Sequence, residues 1–178
     1  MSKRLATCIL FILLMPVISF ADYPNTSIGV IDINKILTEA DAAVFASEQI
    51  EEIASKIEDE IKKSDDEIIK EQNLLIESQA IMAPEAFETK RIEYEKKVQN
   101  YNNERQSKLL EIDELIAVSR NDVLLALKPI LEDISNKKGI TILLEKGSVM
   151  LNADKMDITD EVLVILNKEF PKIEILRD

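Results

Sequence analysis

The sequence predicts an α+β protein in which a long antiparallel helical hairpin, a coiled-coil tentacle, projects from a small β-body. Three observations carry that expectation. From Asp41 to Ala83 there is neither Gly nor Pro, and apolar residues recur at spacings of three, four and seven. A second stretch of the same texture follows the interruption Met82-Ala83-Pro84-Glu85. Short clusters of β-branched residues lie only before the first stretch and after the second.

The chain opens with Lys3 and Arg4, an apolar run from Leu5 to Ile18, and Ser19-Phe20-Ala21. A basic start, an apolar core of this length and small residues before a cut are what a signal peptidase reads, so residues 1–21 are expected to be a secretory signal peptide and the mature chain to begin at Asp22. The run is short for a membrane span, and no integral membrane segment is expected after cleavage. Cys8 sits inside the apolar core, which rules against a lipoprotein cut there. Ile28-Gly29-Val30-Ile31-Asp32-Ile33 reads as the first strand. Thr38, with Asp41 three residues on, resembles a helix-start capping arrangement.

The first arm has its seam at Ile50, Ile53, Ile57, Ile61, Ile68 and Leu75. Pro84 disfavours helix at Ala83 and suits a first helical turn itself, so the chain reverses there. The second seam runs through Phe87, Tyr94, Val98, Tyr101, Arg105 and Leu109, then through Ile112, Ile116, Val123, Leu127, Ile130 and Ile134. Each arm should extend on the order of 60 Å. Pro129 should kink this helix rather than end it, because the apolar spacing continues through it. Lys137-Lys138-Gly139 supplies the terminus, with basic residues in the last turn and glycine beyond. Ile140 to Glu145, a turn at Lys146-Gly147, and Ser148 to Leu151 read as a β-hairpin. Asp157 to Glu161 opens a last helix with Ile158, Val162, Ile165 and Leu166 on one face, and Pro171 closes it. The expected division is thus a β-body from residues 22–40 and 135–178, and a hairpin from residues 41–134.

Composition removes several function classes. There is no histidine, and the one cysteine lies in the signal segment, so nucleophilic triads and ordinary zinc sites have no side chains to use. Three glycines are too few and wrongly spaced for a phosphate-cradling loop. A formal net charge of −12 argues against nucleic acid, whose binding needs clustered Lys and Arg. Residues 41–83 carry twelve acidic and four basic side chains, residues 84–128 nine and eight. The bland reading is a solvated face; the functional one makes these charges the walls of a cavity. The runs Glu51-Glu52, Glu58-Asp59-Glu60 and Asp65-Asp66-Glu67 are contiguous, so neighbours point about 100° apart around a helix and do not converge on one ion. No catalytic residue, metal ligand or cofactor is assigned.

Taken in order, Ile28-Gly29-Val30-Ile31-Asp32, the long hairpin, Lys138-Gly139-Ile140-Thr141-Ile142-Leu143-Leu144, Asn152-Ala153-Asp154 and Asp157-Ile158-Thr159-Asp160-Glu161-Val162 resemble the OmpH/Skp family of periplasmic chaperones. The resemblance spans essentially the whole mature chain. It implies a periplasmic homotrimer whose strands combine into a central β-body, with three hairpins around a cavity that holds unfolded outer-membrane β-barrel proteins without ATP. Val30, Ile142, Leu144 and Val149 are the expected trimer-body residues, since short strands with free edges bury too little alone. Client contact is expected near the hairpin tip at Leu74, Leu75, Ile81, Met82 and Phe87, the bland alternative being that these close the hairpin or pack its seam. The best-known member is strongly basic and this chain is acidic, so no lipopolysaccharide-binding or electrostatic capture residue is carried over. Two other classes remain: a structural coiled-coil adaptor or spacer of the envelope, and a carboxylate enzyme, for which no pocket-forming architecture is visible.

Overall fold

The computed structural model describes residues 26–175. The expected signal peptide lies outside the described residues. The elements in order are β1 (Ile28–Ile31), α1 (Ile33–Glu39), α2 (Asp41–Ser78), α3 (Pro84–Lys138), β2 (Ile142–Glu145), two 3-10 turns (Lys146–Ser148 and Asp154–Met156) and α4 (Thr159–Glu169).

α1 is an element that the sequence reading missed. Asp32 ends β1 and caps α1, its Oδ1 accepting the Lys35 N–H at 2.9 Å. Thr38 does not cap the next helix as expected. Its hydroxyl donates back to the carbonyls of Asn34 and Lys35, the usual satisfaction of a threonine inside a helical turn. The break falls at Ala40, whose extended backbone (φ −64, ψ 136) separates α1 from α2 and which is itself fully buried.

α2 and α3 pair as an antiparallel hairpin of 38 and 55 residues, about 57 and 80 Å long at 1.5 Å per residue. The helix continues through Pro129. Both Pro129 and Leu125, whose carbonyl loses its helical donor there, are on the exposed side, where water can replace the bond. α3 ends in a left-handed Gly139 (φ 67), with the Ile140 N–H donating to Ser135 O at 2.9 Å. In α2 the expected seam holds: Ile50 and Ile57 are buried, and Ile53, Ile61, Ile68 and Leu75 partly so. In α3 the middle of the seam is shifted by one residue from expectation. Leu115 and Ser119 are buried and Lys108 is partly buried, whereas Leu109 and Ile116 are about half exposed.

The sheet has two parallel strands, with Ile28 opposite Ile142, Gly29 opposite Leu143, Val30 opposite Leu144 and Ile31 opposite Glu145. The expected hairpin after β2 does not form. Lys146–Ser148 is a 3-10 turn, and residues 148–151 pair with nothing in the described sheet. The chain instead crosses to the far edge of β1, where Asp157 bridges Val30 and the Ile158 N–H donates to Val30 O at 2.9 Å. Both edges of β1 are thereby used, and one edge of β2 stays open.

One core unites the sheet, α1, the inner end of α3 and α4: Ile31, Ile36 and Ala40 pack with Leu127, Ile130 and Ile134 and with Ile158, Val162 and Leu166. The last helix presents the face expected of it. Gly29 lies where a Cβ would come within 2.9 Å of Ile140 Cδ1, so absence of a side chain lets the α3-to-β2 connection cross close to β1.

Candidate functional site

Among the described residues the features that can act are surfaces at the two ends of the hairpin. Among the described residues no group of His, Cys, Asp and Glu is placed to hold a metal. No described helix is long and apolar enough to cross a membrane. The carboxylates with a resolved shift, Glu52, Glu88 and Asp157, are all pushed down rather than up. A carboxylic acid kept protonated for proton donation needs the opposite environment.

The hairpin tip is built by a tight reversal. Ser78 accepts the N–H groups of Ile81 and Met82 at 3.2 and 3.0 Å and donates its own hydroxyl to Leu75 O at 2.7 Å. Pro84 then starts α3, and the Phe87 N–H reaches Ala83 O at 3.0 Å. This geometry divides the five tip residues. Ile81 is 84% exposed and Leu74 55%, while Leu75, Met82 and Phe87 are partly buried in closing the turn. Ile69, Ile76 and Ile92 are more than half exposed nearby and were not singled out from the sequence. Their signal was present: each is apolar but lies off the seam of its helix. Leu74, Leu75 and Tyr94 also floor a cleft of about 380 Å³ whose rim carries Lys90 and Glu93.

Below the tip the two helices are joined by polar rungs. Lys97 pairs with Glu71, the Tyr101 hydroxyl donates to Asp65, and Lys108 donates to Glu60 at 2.6 Å. The Asp65 carboxylate, holding the phenolic proton, raises the Tyr101 pKa. The hydrogen bond to Glu60 similarly raises that of Lys108. A two-helix arm can cover each seam residue from one side only, so apolar burial weakens outward and polar pairs take its place. Among the described residues, none beyond Ile57 and Leu115 is buried.

At the other end, the four residues expected to form a trimer body do not share one environment. Val30 is 1% exposed, already enclosed within this chain. Ile142 and Leu144 are 44% and 39% exposed and share a sheet face with Ile28 at 38%. Val149 is partly buried beyond the 3-10 turn, and Met150 and Leu151 next to it are almost wholly exposed. The body thus presents an open strand edge beside an uncovered apolar face, with Met150 and Leu151 standing out beyond it.

Comparison with known proteins adds the following. A family model described as "OmpH: Outer membrane protein (OmpH-like)" matches residues 27–166. No curated protein matches. Among solved structures, the crystal structure of an OmpH-like protein from Caulobacter crescentus CB15 superposes with a TM-score of 0.78 at 16% identity, covering 86% of this chain and 90% of that one. At that identity the likeness shows the fold, a hairpin on a small mixed body.

Proposed function

The chain belongs to the OmpH-like family, and from that premise we propose that it is a periplasmic holdase: a homotrimer that binds unfolded outer-membrane β-barrel proteins without ATP and keeps them from aggregating. The observation that carries the proposal is the display of large apolar side chains along an arm with no compact core behind them. Ile69, Leu74, Ile76, Ile81 and Ile92 are all more than half exposed. Isolated exposed apolar residues are ordinary on a globular surface. Spread along a two-helix arm and multiplied over several arms, they offer many weak contacts whose sum can be strong. Unfolded barrel strands, which alternate apolar and polar residues, are suited to such contacts.

Trimerisation is supported by the body. Ile28, Ile142 and Leu144 form an apolar face next to the open edge of β2, and a neighbouring chain would cover both. Its contribution would come from these exposed residues, with Val30 acting from within the protomer. Nothing in the site asks for nucleotide, since the three glycines form no phosphate loop.

The test is light scattering on the mature chain eluting from a sizing column, alone and with a barrel protein diluted from urea. The expected result is a mass of three chains that rises by one client while the client stays in solution. A chain that leaves the barrel protein to precipitate, yet binds a folded envelope partner, would overturn the holdase reading in favour of a coiled-coil adaptor or spacer.

A further inference from the structure

At the root of the hairpin, about 36 Å from the tip along α2, the two helices part to leave an apolar groove of about 480 Å³. Its floor is Ile50 of α2 and Ile112 of α3, and Ile116 forms a half-exposed wall. Small side chains keep it open: Ala43 and Ala54 on one helix and Ser119 on the other. Glu51 and Arg120 stand at its rim on opposite helices, and among the described residues neither is ion-paired. Farther out, acids of α2 do close on bases of α3, as Glu60 does on Lys108 and Glu71 on Lys97. At the groove an acid and a base of the same arrangement remain available.

We propose that this groove is a client subsite that takes one extended segment of about five residues with apolar side chains at alternate positions. The inference rests on the holdase reading and adds where on the arm a client segment seats. Three features select that occupant. The groove runs from Ala43 to Ala54, about 16 Å along the helix, which is about five residues of extended chain. Two or three downward side chains of such a segment match its volume. A second copy of the hairpin is a poor fit, because a stable interface needs about 800 Å² on each partner and a slot of this length offers less. The rim charges exclude partners of a single sign: Glu51 and the acid excess of α2 oppose nucleic acid or anionic lipid, and Arg120 opposes a purely cationic ligand. A polypeptide satisfies both, giving Arg120 a carbonyl or carboxylate and Glu51 an amide N–H or an ammonium group.

Two substitutions at exposed positions test this without disturbing the core. Ser47→Tyr fills the groove, and Ile116→Asp makes its wall polar. Binding of a dye-labelled, urea-unfolded outer-membrane barrel protein is followed by fluorescence anisotropy, and the mass of each variant by sedimentation. The expected result is a Kd raised about fivefold in each variant, at unchanged assembly mass. If the natural chain binds the barrel and both variants bind it equally well, the groove is not a subsite and the holdase reading stands. If the natural chain does not bind the barrel, both readings fall. A change of assembly mass in either variant would make the groove a subunit interface and overturn the proposal.

Discussion

The side chain of Asn167 in α4 caps α2: its Oδ1 accepts the Asp41 N–H at 3.0 Å, across 126 residues of sequence. Ala40, the residue at the cap position, has no side chain that could do this. Helix starts are usually capped by their own neighbours, so here the arm takes its first turn from the body. Asn167→Ala is expected to cost about 1 kcal/mol, measured by urea unfolding. Amide exchange should accelerate at residues 41–44 before it does so elsewhere. Unchanged exchange there would mean that the cap is incidental.

Asp157 ties three parts of the body. Its Oδ1 accepts the N–H and hydroxyl of Thr159, its Oδ2 accepts Lys146 Nζ at 2.8 Å, and Thr159 Oγ1 in turn accepts the Asp32 N–H at 2.9 Å. Burial is the largest single influence on its carboxyl and opposes ionisation. The Lys146 and Thr159 hydrogen bonds together outweigh it, so the pKa falls to about 2 from an ordinary 3.8. Because the folded value is the lower one, the stabilisation is present above pH 4 and is lost as the pH falls toward 2; it amounts to roughly 2 kcal/mol. Asp157→Asn should be less stable than the natural chain at neutral pH by about that amount, with the gap closing between pH 4 and 2. A gap independent of pH would sink this account.

The shifted seam makes an internal comparison possible. Leu115 is 8% exposed and Leu109 48%. Leu115→Ala should cost about 2–3 kcal/mol and Leu109→Ala under 1 kcal/mol in thermal or urea unfolding. Equal costs would return the seam to the register expected from the sequence.

That register shows what periodicity can and cannot settle. The α2 seam was legible because Ile50, Ile57, Ile61, Ile68 and Leu75 have mostly polar neighbours at the competing positions. In α3, Leu109-Leu110 and Leu115-Ile116 are adjacent apolar pairs, so spacing alone does not choose between them. Lys108 occupies a seam position with its aliphatic stem, which a pattern of apolar letters passes over. The strand that was expected at 148–151 failed for a different reason. Glycine after Lys146 suggested a hairpin turn, but Lys146–Ser148 winds into a 3-10 turn, closed by the Val149 N–H on Lys146 O, and the chain leaves the free edge of β2 to reach the far edge of β1 at Asp157. The tip was located correctly from Pro84, while the split between exposed Ile81 and the partly buried Met82 and Phe87 depends on the turn's own hydrogen bonds.

That split leads to a prediction about the tip. Leu74→Asp and Ile81→Asp together should weaken barrel holding at unchanged assembly mass and helicity. Leu75→Asp or Phe87→Asp should instead lower the stability of the outer arm, seen as faster amide exchange on both sides of the turn. Undiminished holding by the first pair would remove the tip from the client surface.

Gly139→Ala should cost about 1 kcal/mol because φ is +67 there, although nothing lies within 4 Å of the added methyl. Gly29→Ala meets the reverse situation, a crowded site at 2.9 Å from Ile140 Cδ1, and its cost should fall when Ile140 is shortened to Val. Additivity of those two changes would show that the crowding is not the cause.

The core described above also sets a chronology. On a ribosome or emerging from a translocation channel, the arm can zip as soon as α3 appears, since Glu71 needs only Lys97, 26 residues on. The body has to wait: Asp32 meets Thr159 after 127 residues, and Ile36 is not sealed until Val162 and Leu166 arrive. Loop closures of that span are slow relative to local pairing. A nascent chain therefore passes through a stage in which its arm is complete while Leu127, Ile130 and Ile134 are still bare. During that interval the newborn molecule displays the same kind of uncovered apolar surface that the proposed holdase would bind in its clients.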